Sequence, residues 1–186
     1  MNNICCKIKS ALAAIVIIFF SQTCLYAQSQ DLDTLFERLL IVEPADVPEL
    51  ETKILLEWSK SGSPAMDILL NRGRIALLNE DYDLALKHLN ALTDHAPNFA
   101  EGWSLSAVTM QKMGKTGPAL DGIKRTVAIE PRHFHALSGL AVILEDAGLF
   151  FEAYEIINMI ETIHPHFEKL DTIRQRLAVK TQGQAL

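Results

Sequence analysis

Three prolines, Pro97, Pro131 and Pro165, stand 34 residues apart, and the same order of small and apolar residues recurs ahead of each. A chain with that period stacks one two-helix unit on the next, because a single unit cannot bury its own apolar face. Aligned on the prolines, the units span 66–99, 100–133 and 134–167. Position eight holds Gly73, Ala107 and Ala141, and position twenty holds Ala85, Ala119 and Ala153. Position twenty-four holds Leu89, Ile123 and Ile157. Antiparallel helices need small side chains where their backbones approach and bulky apolar ones beside that point. Proline then ends the second helix, since it lacks an N–H and clashes with the preceding turn. The expected fold is all-α, a solenoid of three helix pairs.

Leu69, Trp103 and Leu137 occupy the fourth position, and the turns between helices read Glu80-Asp81-Tyr82, Gly114-Lys115-Thr116 and Gly148-Leu149-Phe150. Together with the small positions and the prolines, these residues resemble the tetratricopeptide repeat family across 66–167. Arg72 and Ser106 depart from its apolar seventh position, and Ala76 stands where an aromatic is usual, so looser packing is expected in the first two repeats.

The resemblance implies a non-catalytic protein-interaction module whose first helices line a concave groove. Carried over by position, the groove would comprise Asp67, Leu70, Asn71, Arg74 and Leu77 from repeat one. Repeat two would add Glu101, Ser104, Val108, Gln111 and Lys112, and repeat three His135, Ser138, Val142 and Glu145. The family's carboxylate-binding groove needs lysine, asparagine and arginine at set positions, three of which are Leu70, Leu105 and Gly139 here. The ligand implied is therefore not a peptide C-terminus. Small, aliphatic and mildly acidic groove residues suit an extended or helical protein segment with apolar anchors, and Arg74 is the cation expected to meet it. If instead Leu70 and Leu77 pack on the preceding helices, the groove is shorter.

Residues 31–42 put Leu32, Leu35, Phe36, Leu39 and Leu40 on one helical stripe, Pro44 interrupts, and residues 48–60 carry Leu50, Ile54, Leu55 and Trp58. Gly62 suits a helix end, Ser63 an N-cap and Pro64 a first turn. This pair is expected to cover the apolar edge of repeat one. The stretch from Trp58 to Gly73 resembles a block in short exported bacterial proteins of the same family. After the repeats, Leu170, Ile173 and Leu177 line one side of a polar capping helix. The expected division is a signal segment at 1–27, a helical segment at 28–62, repeats with their entry at 63–167, and a cap and tail at 168–186.

Lys7 and Lys9 precede ten apolar residues from Ala11 to Phe20, with Ala27 at a small-residue exit. That is the pattern of a secretory signal peptide, and the run is short against the roughly 20 residues of a membrane span. An uncleaved inner-membrane anchor is the alternative; a lipoprotein use of Cys24 fits worse, because Ser21, Gln22 and Thr23 are not the usual flank. Cleavage after Ala27 would remove Cys5, Cys6 and Cys24 and take the formal charge from −6 to −8, both lysines being lost. Such a product has no thiol chemistry and no electrostatic affinity for nucleic acid or anionic membrane. It also has no Asn-X-Ser/Thr acceptor, which points to a bacterial periplasm.

No nucleophile elbow, zinc-protease helix or phosphate loop is present, and no cofactor is expected. Adjacent Glu145 and Asp146 diverge on a helix and make no acid–base pair. His133 and His135, with His164 and His166, flank the inter-repeat turns. They read as solvated loop residues or, alternatively, as four imidazoles for zinc or copper in a periplasmic metal- or small-molecule-binding protein.

Overall fold

The computed structural model describes residues 32–168 and 170–184. The segment at 1–27 expected to be a signal peptide lies outside them. The described chain is helical, with α1 at residues 32–39, a 3-10 turn at Pro44–Asp46, then α2 (Val47–Trp58), α3 (Pro64–Leu78) and α4 (Tyr82–His95). There follow α5 (Ala100–Lys112), α6 (Thr116–Ile129), α7 (Phe134–Asp146), α8 (Phe150–Ile163) and α9 (Leu170–Gln184). The pairs α3–α4, α5–α6 and α7–α8 are the three repeats. Among the described residues there is no strand, and no helix is long and apolar enough to cross a membrane.

Each repeat turns in the same way. The N–H of Asp81, Lys115 and Leu149 reaches back to the carbonyl of Ala76, Met110 and Leu144, at 2.9 Å in all three. The residue before each donor is left-handed, with φ of 60° at Glu80, 73° at Gly114 and 76° at Gly148. This is the six-to-one closure that ends a helix on a glycine, and repeat one makes it with glutamate. The second helices stop at His95, Ile129 and Ile163, two residues before each proline, and the residue between has left the helical region, as a following proline favours.

The small positions lie at the helix crossings. A Cβ added to Gly73 would come within 2.7 Å of Leu89, so α3 and α4 approach as closely as glycine allows. Ala85, Ala119 and Ala153 are fully buried at the same level of their repeats.

The N-terminal helices depart from expectation. Leu35, Phe36 and Leu39 of α1 and Leu50, Ile54 and Trp58 of α2 join one core with Phe134, Leu137, Ile157 and Ile160 of repeat three. They fold back across the stack and leave the outer edge of repeat one uncovered. The aromatic residues around Phe134 explain the choice: Phe36, Trp58, His164 and Phe167 all lie within 6.5 Å of its ring, centre to centre. Burying several large apolar side chains there stabilises at about 1.5–3 kcal/mol each, more than a stripe of isoleucine and leucine on α3 offers. At the entry to α3, Ser63 occupies the N-cap without using its hydroxyl. Asp67 in the first turn instead reaches back out of the helix, its Oδ1 accepting the N–H of Ser61 at 2.9 Å.

Candidate functional site

The first helices of the repeats, α3, α5 and α7, line the inner face. Where their N-terminal ends meet the returning α2, four side chains form a continuous chain. Arg74 Nη2 donates to Ser59 Oγ at 3.0 Å and to Glu101 Oε1 at 3.1 Å. The other oxygen of Glu101 meets His133 Nε2 at 3.2 Å, while His133 Nδ1 accepts the N–H of Ala136 at 3.2 Å and caps α7. Because Nδ1 is an acceptor there, the proton sits on Nε2, and His133 donates to the carboxylate. Trp58 stacks on the imidazole, with ring centres 4.1 Å apart and planes 6° from parallel. This ties α2 to all three repeats at the rim of the groove.

His164 holds the second tie. It is fully buried, and its Nε2 meets Glu51 Oε1 of α2 at 2.6 Å. Burial pushes its pKa below the usual value, ahead of the opposing bond from Glu51 and the added effect of His166. A third tie runs from α1, where Asp33 accepts from Arg132 at 2.6 Å and the guanidinium lies 4.3 Å over the Phe36 ring. His133 and His164 are therefore neither solvated nor turned toward a common metal position. Each is buried and bonded to a carboxylate of another helix. Among the described residues, no group of three or more metal-ligating side chains is assembled.

The candidate groove residues separate by position. Leu70 is buried among Ala76, Ala85, Leu89 and Leu92, and Leu77 packs on the same cluster, so both serve the core of repeat one. Asp67 holds the α2–α3 loop through Ser61. Arg74 and Glu101 neutralise each other at the rim. Glu145 is held by α9, with Arg176 Nη2 at 2.7 Å and Lys180 Nζ at 2.8 Å, and the Arg176 bond leads in keeping its carboxyl below the usual range. Ser104 is buried, Gln111 and Ser138 are half-buried, and Asn71, His135 and Lys112 are exposed.

What remains open is a short apolar floor. Val108 and Val142, each at position nine, keep 39 % and 45 % of their surface. Between α5 and α7 a depression of about 20 Å³ is lined by Ser104, Val108, Gln111, His135 and Gly139. The docking of α2 also makes a larger cleft of about 520 Å³ beside the α8–α9 turn, lined by Pro44, Pro48, Glu51, Phe167 and Asp171 among others. No sequence pattern marks it, because its two walls are more than 100 residues apart.

A stacked series of helix pairs with small residues at the crossings and an inner face built from first helices defines a helical-repeat solenoid. No protein-family model matches the chain. A TPR repeat-containing protein of Rhizobium etli is 30% identical over 154 residues, covering 80% of this chain and 76% of that relative. The chain belongs to the tetratricopeptide repeat family. Among solved structures, the first TPR domain of Spaghetti, bound to the HSP90 peptide SRMEEVD, is similar with a TM-score of 0.60 and 16% identity, over 67% of this chain and 96% of its own. The complex of the yeast Sti1 TPR2B domain with pHsp70 gives a TM-score of 0.57 at 18% identity, over 66% and 99%. At these identities the likeness is one of fold.

Proposed function

We propose that this protein is a non-catalytic interaction module of the bacterial envelope that binds a segment of a partner protein along the floor between α5 and α7. The observation that carries the reading is the exposure of Val108 and Val142, two aliphatic side chains at the same position of adjacent repeats, beside the depression between α5 and α7. Fold neighbours solved with HSP90 and Hsp70 ligands use the same architecture to hold peptides, which supports a peptide or protein as the ligand class. With Arg74 neutralised and Glu145 held by α9, the accessible floor is aliphatic and nearly uncharged. It suits a segment with small apolar side chains and offers nothing to a terminal carboxylate. Residues 1–27 supply the export signal in this reading, with an uncleaved inner-membrane anchor as the alternative.

Affinity capture from crosslinked envelope extracts tests the assignment. The wild-type chain should retain a partner that Val142→Arg loses, with the melting temperature of the two nearly equal, because an exposed substitution shifts stability by about 0.5 kcal/mol or less. Equal capture by both would refute the groove.

A further inference from the structure

One hydroxyl in the groove is unspent. Among the described residues five serines and threonines are buried, and four of them donate to a carbonyl one turn back on their own helix. Thr93 meets Asn90 at 3.1 Å, Ser106 meets Gly102 at 2.9 Å, Thr109 meets Leu105 at 2.7 Å and Thr126 meets Gly122 at 2.9 Å. Ser104 alone of the five makes no hydrogen bond through its side chain, although it keeps only 6 % of its surface. A hydroxyl that has given up water in this way gains nothing until a partner reaches it. Ser104 lines the depression between α5 and α7, whose volume of about 20 Å³ has room for about one water-sized group. Gly139 keeps that space open. A Cβ there would stand 3.4 Å from Cδ1 of Ile123, which lines the same depression, and would fill it without overlap.

We propose that this depression is a specificity pocket for the hydroxyl of one serine side chain in the bound partner segment. The inference rests on the groove reading and names the side chain the groove selects. A serine carries its hydroxyl on a single methylene, so the tip enters while the main chain stays on the floor beside Val108 and Val142. Ser104 Oγ can donate or accept, and so can the incoming hydroxyl, so the two pair whichever holds the shared proton. Alanine reaches no polar atom, and its arrival would cut Ser104 off from water with nothing in exchange. Threonine adds a methyl for which the depression has no room. A charged side chain would lose its hydration against an aliphatic floor. Sites that hydrogen-bond a ligand hydroxyl reject the analogue lacking it strongly, and one buried unpaired hydroxyl corresponds to about five- to a hundredfold in affinity.

Short random peptides displayed on phage, selected on the purified chain, supply the probe. The recovered peptides should share a serine between small apolar residues and should be lost with Val142→Arg. By fluorescence anisotropy, a synthetic peptide from that set should bind about fivefold or more tightly than its serine-to-alanine version. On Ser104→Ala the two versions should bind within about twofold of each other, as a double-mutant cycle requires. Gly139→Ala should weaken the serine peptide about fivefold or more while the melting temperature holds or rises, since alanine is the better helix former. Peptides lost with Val142→Arg but indifferent to the serine-to-alanine change would overturn the pocket and leave the groove standing. So would a serine preference that survives in Ser104→Ala, or an affinity unchanged in Gly139→Ala. Peptides indifferent to Val142→Arg, or no recovered peptide at all, would overturn the groove and the pocket with it.

Discussion

Removing the carboxylate of Glu101 should loosen the N-terminal helices from the repeats. Glu101 is buried and accepts from Arg74 and from His133, whose ring is also buried against Trp58. In Glu101→Ala the His133 Nε2–H loses its acceptor in a place water does not reach, and an orphaned buried donor costs about 1–3 kcal/mol. Arg74 loses a partner too, but its side chain is 36% exposed and keeps Ser59, so its share is small. The sum is about 2 kcal/mol, or a fall of roughly 4–8 °C in melting temperature for a chain of this size. Glu101→Gln keeps one acceptor oxygen and should lose about half as much. Urea unfolding followed by circular dichroism measures the difference, and tryptophan fluorescence reports the stacking of Trp58. If alanine and glutamine variants both unfold within about 0.5 kcal/mol of wild type, the network does not hold α2 to the stack.

The turn of repeat one makes a second test: Glu80→Gly should stabilise by about 1 kcal/mol, because a left-handed residue with a side chain is strained, and equal unfolding midpoints would contradict it. The third concerns pH. Burial lowers the pKa of His164 in the folded chain, so between that lowered value and the ordinary 6.5 the unfolded chain binds more protons. Its contribution is complete above about pH 6.5 and is lost as pH falls toward the folded value; urea midpoints at pH 7.5 and 5.5 should differ in that sense, and His164→Phe should flatten the difference.

The repeats were legible in the sequence because their signals are local and recur. Gly73 and the three alanines at position twenty each report one helix crossing, and each proline reports one helix end. The N-terminal helices were legible as amphipathic elements, but an apolar stripe states that a helix needs a cover and not which one. Their partners, Arg132 for Asp33 and His164 for Glu51, are about a hundred residues away and stand in turns, where no periodicity points to them. Arg74 was expected to face a ligand, yet position alone could not reveal that Glu101, 27 residues on, would meet it. Leu70 illustrates the limit of carrying a family position across. Ala76 is small where an aromatic is usual, and Leu70 shares that core instead of the groove. His133 had one readable sign, its place immediately before α7, which is where a side chain can cap the helix.

The groove is tested most directly by placing a photocrosslinking side chain at Val108 or Val142, and at Lys87 or Lys124 on the second helices, in cells that produce the protein. Irradiation should give a discrete higher-mass adduct with a partner protein from positions 108 and 142 and none from 87 and 124. An adduct formed from the outer positions alone would contradict the account and move the binding surface to the convex side.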